Sequence, residues 1–237
     1  MVVYISRVFL TFSLFIGCLS TAHAGLADFE YAPFADGSVQ EQVIYDLGDG
    51  LTLTMTAFIL TENSGGTITS RTQLGDVNDV NNNDGVYLGT SGLGVKIPTY
   101  QNNGSDDDSD IDGASGDGQN GTDYDEGILF TFNKTVELVR LNFGSFSGSD
   151  DFNLEVDGVN LMHDIGSFDT HSFIKDTPED DHFYFQNIFG KAFLVWADGD
   201  SDDFRIDDIT VAVPEPATIP MMVLAISGLV CLRRKRL

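Results

Sequence analysis

Six aspartates at alternate positions are the residues of this chain whose spacing could do chemistry. Asp108, Asp110 and Asp112 alternate with Ser109 and Ile111 and are closed by Gly113. Asp198, Asp200 and Asp202 alternate with Gly199 and Ser201, and Asp203 follows. Alternation lets successive carboxylates turn toward one cation while glycine supplies a sharp bend, as at the start of an EF-hand loop. A complete EF-hand loop ends on a bidentate glutamate, and Gln119 stands at that position. No helical periodicity flanks the segment either. The expectation is therefore a calcium loop in a β protein, with all six aspartates as its candidate ligands. Asp150-Asp151 and Asp207-Asp208 add two acidic pairs, each directly before an apolar residue. Solvated acidic surface is the competing reading of every one of these runs.

Other chemistry is thinly represented. Gly144-Ser145-Phe146-Ser147-Gly148 has the outline of a nucleophile elbow, but phenylalanine occupies the place of the serine. His163, His171 and His182 lack zinc-ligand spacing. No phosphate loop and no dinucleotide fingerprint occurs. Glycosidase chemistry asks for two carboxylates in a cleft, one with a raised pKa. Acidic residues are abundant enough to hide such a pair, so a small carbohydrate-active enzyme, a glycosidase or lyase, is the alternative reading. Trp196, Tyr184, Tyr87, Tyr100 and Tyr124 are the aromatics that could stack on sugar rings, with core packing the default for Trp196 in its apolar stretch.

Composition narrows the partners. Residues 25–213 hold 36 Asp plus Glu against 7 Lys plus Arg. Such a field excludes nucleic acid and repels anionic surfaces, and it suits an exterior where calcium neutralises carboxylates. Cys18 and Cys231, the only cysteines, both lie outside this region, so neither a disulfide nor thiolate chemistry is expected within it.

The elements that must position the acidic runs read as short strands. Leu51, Leu53, Met55, Ala57 and Ile59 alternate with Thr52, Thr54 and Thr56, the period of a half-buried strand. Ile128, Phe130 and Phe132 repeat the pattern. Phe152 to Met162 reads as a hairpin turning at Asp157-Gly158, a two-residue loop that accepts positive φ. That loop pairs Val156 with Val159 and Leu154 with Leu161, placing all four with Phe152 on the core face and Asn153 and Glu155 on the other. Near the C-terminal end Phe204 and Ile206 have one parity and Ile209, Val211 and Val213 the other. A bulge near Asp207-Asp208 reconciles them. Many strands without helices predict an all-β, antiparallel β-sandwich, of jelly-roll type, with long acidic loops between Gly75 and Glu126.

Both ends carry the marks of export. Arg7, an apolar stretch from Val8 to Leu19, and Ala22-His23-Ala24 read as a signal peptide over residues 1–24. At the other end Val213, Pro214, Glu215 and Pro216 precede an apolar run from Ala217 to Leu232 and a basic stop of Arg233, Arg234, Lys235 and Arg236. The prolines end the sheet, and the run of sixteen residues is shorter than the ~20 a helix needs to span hydrocarbon comfortably. Basic residues beside it stay on the cytoplasmic side, which puts the preceding domain outside. A plain C-terminal anchor is the simpler alternative.

This tail resembles the PEP-CTERM sorting signal of exported bacterial proteins. The resemblance implies an exosortase-type processing enzyme as partner, anchoring in the inner membrane before processing, and release to the cell surface or an exopolysaccharide matrix. The block from Gly92-Leu93-Gly94-Val95 through Asp110-Ile111-Asp112 to Asp150-Asp151-Phe152 resembles the ectodomain of many such proteins. Asp203 to Val211 is similar to the final strand of carbohydrate-binding jelly rolls. The organisation that follows is a signal peptide (1–24), an extracytoplasmic β-sandwich (25–213) and a sorting tail (214–237). The functional expectation is a non-enzymatic surface or matrix protein that takes calcium and polysaccharide.

Overall fold

The computed structural model describes residues 23–28, 38–62, 67–75, 84–89, 92–96, 110–112, 125–148, 150–166, 174, 181–197 and 202–214. Residues 1–22, most of the expected signal peptide over residues 1–24, and the tail from Glu215 on lie outside the described residues. One compact unit spans Ala24–Val213. It is all-β, and no helix occurs among the described residues.

The strands in chain order are β1 (His23–Asp28), β2 (Ser38–Gln40), β3 (Val43–Asp46), β4 (Thr52–Glu62), β5 (Ile68–Gln73), β6 (Gly85–Gly89) and β7 (Gly92–Lys96). They continue with β8 (Ile111–Asp112), β9 (Asp125–Gly144), β10 (Asp151–Val156), β11 (Val159–Gly166), β12 (His182–Tyr184), β13 (Phe189–Ala197) and β14 (Asp203–Val213). The main path of the antiparallel sheet is β11-β10-β13-β9-β14-β7-β6-β2, and it does not close into a barrel.

The 20-residue strand β9 organises the rest. Its first half lies between β13 and β4, with Phe130 opposite both Phe193 and Met55. Its second half lies between β14 and β12, with Leu141 opposite both Ile209 and Phe183. Between the halves the register with β13 slips from Val136↔Gly190 to Thr131↔Ala192. The sheet bends over on itself there, and Asn133 fixes the bend: its side chain accepts from Thr52 N at 3.0 Å and donates to Gly50 O at 2.9 Å.

One core fills the fold. Leu51, Leu53, Met55 and Ala57 of the first half and Phe143, Phe204, Ile206 and Val211 of the second belong to the same buried cluster. At its centre Phe143 packs on Phe152 at 4.8 Å and on Phe204 at 5.1 Å between ring centroids. A smaller cluster of Leu60, Leu194 and Trp196 covers the other face of the first half. Trp196 is fully buried there, in its default role as a core residue.

The bulge expected in the last strand is present. Ile206 pairs with Phe143 and Asp208 with Asn142, so Asp207 is the extra residue. The parity change is absorbed, and Phe204, Ile206, Ile209 and Val211 are all buried.

The hairpin register is corrected by the structure. Asp157 and Gly158 do form the turn, at φ of 49° and 85°, and Val156 does pair with Val159. Leu154, however, pairs with Met162 rather than Leu161, because β11 carries extra residues on both sides of this pair. Met162 and Ile165 are therefore buried, Leu161 is half-buried and Val159 is 65% exposed. Asn153 and Glu155, expected outside, are buried as well. The Asn153 side chain accepts from Asp164 N at 2.8 Å, where Asp164 takes a positive φ of 51°, and so fixes one of the irregularities.

Candidate functional site

The acidic runs meet at one end of the fold. Backbone pairing of β8 with β14 sets Ile111 opposite Phe204 and Asp112 opposite Asp203. Two runs separated by some ninety positions in sequence therefore lie side by side. Of the six alternating aspartates, Asp108, Asp198 and Asp200 lie outside the described residues, as does the side chain of Asp112. Asp110 and Asp202 are placed, and their environments differ.

Asp110 is 8% exposed and forms an ion pair with Arg205 on β14. Its backbone carbonyl accepts from Val95 N at 2.9 Å, tying β8 to β7. The carboxylate is thus compensated by a protein cation, and a metal would have to compete with guanidinium for it. Arg205 also sits over the Tyr87 ring at 5.8 Å, and Lys96 approaches the same ring at 5.7 Å. These contacts occupy Tyr87, one of the candidate sugar platforms. Tyr184 remains exposed, while Tyr100 and Tyr124 lie outside the described residues.

Asp202 is 5% exposed, and among the described residues it forms no ion pair. Its Oδ1 accepts from Asp151 N at 3.0 Å, which joins the start of β10 to the start of β14. Its Oδ2 is buried without a hydrogen-bond partner. Burial, and then the charge of Asp151, push the Asp202 carboxyl up to about 7. Asp150 is also buried, and it accepts from Ser147 N. Nothing in the alternation of Asp198, Asp200 and Asp202 pointed to Asp151 as a neighbour. The pair Asp150-Asp151 was visible in sequence only as acidic residues beside a strand.

The three arginines of residues 25–213 are all committed to buried carboxylates. Arg71 pairs with Glu155, Arg205 with Asp110, and Arg140 with Asp208, the last through contacts of 2.8 and 2.9 Å. Asp208 also accepts from Asn142 at 3.2 Å. The arginines thus serve the interior, and the surface keeps its excess of negative charge. Among the described residues no group of three or more Asp, Glu, His or Cys is arranged to hold a metal.

An open cleft of about 370 Å³ lies at the edge strand β2, lined by Val39, Gln40, Glu41, Gln42 and Asp84. Its wall is shaped by glycine: a Cβ on Gly85 would meet Gln40 O at 2.4 Å. The cleft is polar and carries carboxamides beside carboxylates, groups that can bond the hydroxyls of a saccharide.

The sorting residues begin where the sheet ends. Ala212 still pairs with Glu137, Val213 closes β14, and Pro214 is exposed. Glu215, Pro216, Arg233, Arg234, Lys235, Arg236 and the expected transmembrane helix lie outside the described residues. No curated protein and no solved structure matches the chain. Residues 212–236 match the family model of the PEP-CTERM protein-sorting motif, so the chain carries the signal of an exported protein sorted by its C-terminal tail and handled by an exosortase-type enzyme.

Proposed function

We propose that the domain is a non-enzymatic module displayed at the cell surface or in an exopolysaccharide matrix, with calcium at its acidic end and polysaccharide as its partner. The observation that carries this reading is the junction at Val213–Pro214. The sorting match starts at residue 212, inside the last strand of the fold. A folded β domain continues into an anchoring and processing signal without a linker, as suits a cargo delivered whole to the exterior.

The side-by-side placement of Asp112 and Asp203 supports calcium, because it brings the two acidic runs together. The cleft beside β2 supports a hydroxyl-rich partner, and its carboxylates favour a neutral glycan over an anionic one. Fractionation of cells producing the full chain, or a chain lacking residues 214–237, tests the reading. The full chain should be found at the membrane and then at the surface or in the matrix, and the shortened one should leave the envelope unanchored. Equal distribution of both would defeat the proposal.

A further inference from the structure

The acidic end of the fold contains a more specific feature than the alternating aspartates, at the point where the starts of β10 and β14 converge. These strands do not pair with each other, since β13 and β9 stand between them. They are joined instead by Asp151 N donating to Asp202 Oδ1 at 3.0 Å. Beneath the junction lies the phenylalanine cluster, with Phe152 next to Asp151 and Phe204 close after Asp202, both fully buried. Asp151 and Asp202 therefore meet over an apolar floor, with Asp150 beside them in sequence. Asp150 and Asp202 are 4% and 5% exposed. Among the described residues neither of those two meets a lysine, arginine or histidine.

Like charges brought together out of water raise the free energy of the folded state unless something neutralises them. Asp150 has an assigned task in holding Ser147 N. Asp202 Oδ2 has none: it is buried and makes no hydrogen bond. A buried carboxylate oxygen without a donor, among acidic neighbours, is the unmet half of a cation site. We propose that Asp151 and Asp202 hold one divalent cation of the calcium class at the junction of β10 and β14, with water completing its shell. Two carboxylates with several waters suit a hard cation of flexible coordination, and they suit the modest affinities of extracellular modules.

This inference deepens the calcium reading above and rests on it, but it moves the ligands. Asp110 is left to Arg205, and Asp151, which belongs to neither alternating run, becomes a ligand. The bound cation would fasten the first half of the folded sheet to the second at the end opposite the bend, so that binding is felt as stability. The ligand class follows from the donors alone: oxygen anions with neither sulfur nor imidazole.

The test is thermal unfolding of the full chain in detergent, in chelator and in calcium, with sodium chloride at equal ionic strength as the screening control. At calcium a hundredfold above its dissociation constant, Tm should rise by roughly 5–10 °C. Asp202→Asn should abolish the rise. Asp151→Asn should do the same while retaining the backbone N–H that bonds residue 202, which guards against loss of the fold as the cause. Asp110→Asn should leave the rise in place. If wild type shows no rise beyond the salt control, both the calcium reading and this site are wrong. If the rise survives in Asp151→Asn and Asp202→Asn, calcium binds elsewhere and this site alone is overturned.

Discussion

Arg71 on β5 forms an ion pair with Glu155 on β10, across 84 positions of sequence. Strands β4, β9 and β13 lie between them in the ladder. On a flat sheet four strand spacings amount to about 19 Å, beyond any arginine. The first half of the sheet must curl until β5 overlies its outer face, which is why Leu194 and Trp196 are buried on a side that would otherwise be wet. Removing Arg71 leaves Glu155 buried and unpaired. Arg71→Ala should cost about 2 kcal/mol, below the ~3–5 of a fully buried pair because Arg71 keeps about a third of its side chain in water. Urea unfolding measures it, and Glu155→Gln should be milder.

A second pair of variants separates a core position on β9 from an exposed position on the hairpin. Phe143 is fully buried among Phe146, Phe152, Phe183 and Phe204. Phe143→Ala should destabilise by roughly 3–5 kcal/mol. Val159, which alternation alone places in the core, is 65% exposed, and Val159→Ala should change stability by less than about 0.5 kcal/mol.

The contrast shows what the sequence could carry. The bulge at Asp207 was legible because two sets of apolar residues of opposite parity had to share one core. The turn at Asp157-Gly158 was legible because its chemistry is local. The registry of β11 was not, because it depends on the buried side chain of Asn153 reaching Asp164 N. The burial of Glu155 depends on Arg71, from a strand far away in sequence. At the acidic end, composition marked two runs that β8 and β14 bring side by side, but the tertiary fold decided that Asp110 goes to Arg205 and that Asp202 meets Asp151.

The turn itself gives a third expectation. Gly158 has φ of 85° with open space where a Cβ would sit, so strain alone opposes a side chain there. Gly158→Ala should cost about 1 kcal/mol in thermal unfolding, with the fold intact.

The Asp202 carboxyl sets a pH dependence. Its pKa is raised from 3.8 to about 7 in the folded state, by burial first and by Asp151 second. The folded protein therefore binds this proton more tightly than the unfolded chain does. The contribution is fully present below the unfolded value and is lost as pH rises toward 7. In chelator, the stability difference between wild type and Asp202→Asn should shift against wild type from pH 4 to pH 7.5. A constant difference across that range would mean that Asp202 is not held protonated.

A tail from Pro214 that serves as a processed sorting signal leaves a shortened chain, which intact-mass spectrometry of the protein recovered from its producing cells would detect. The expected C-terminus lies upstream of the basic residues Arg233 to Arg236, with the strand through Val213 retained. Recovery of the chain intact to Leu237 from the surface or matrix would contradict it.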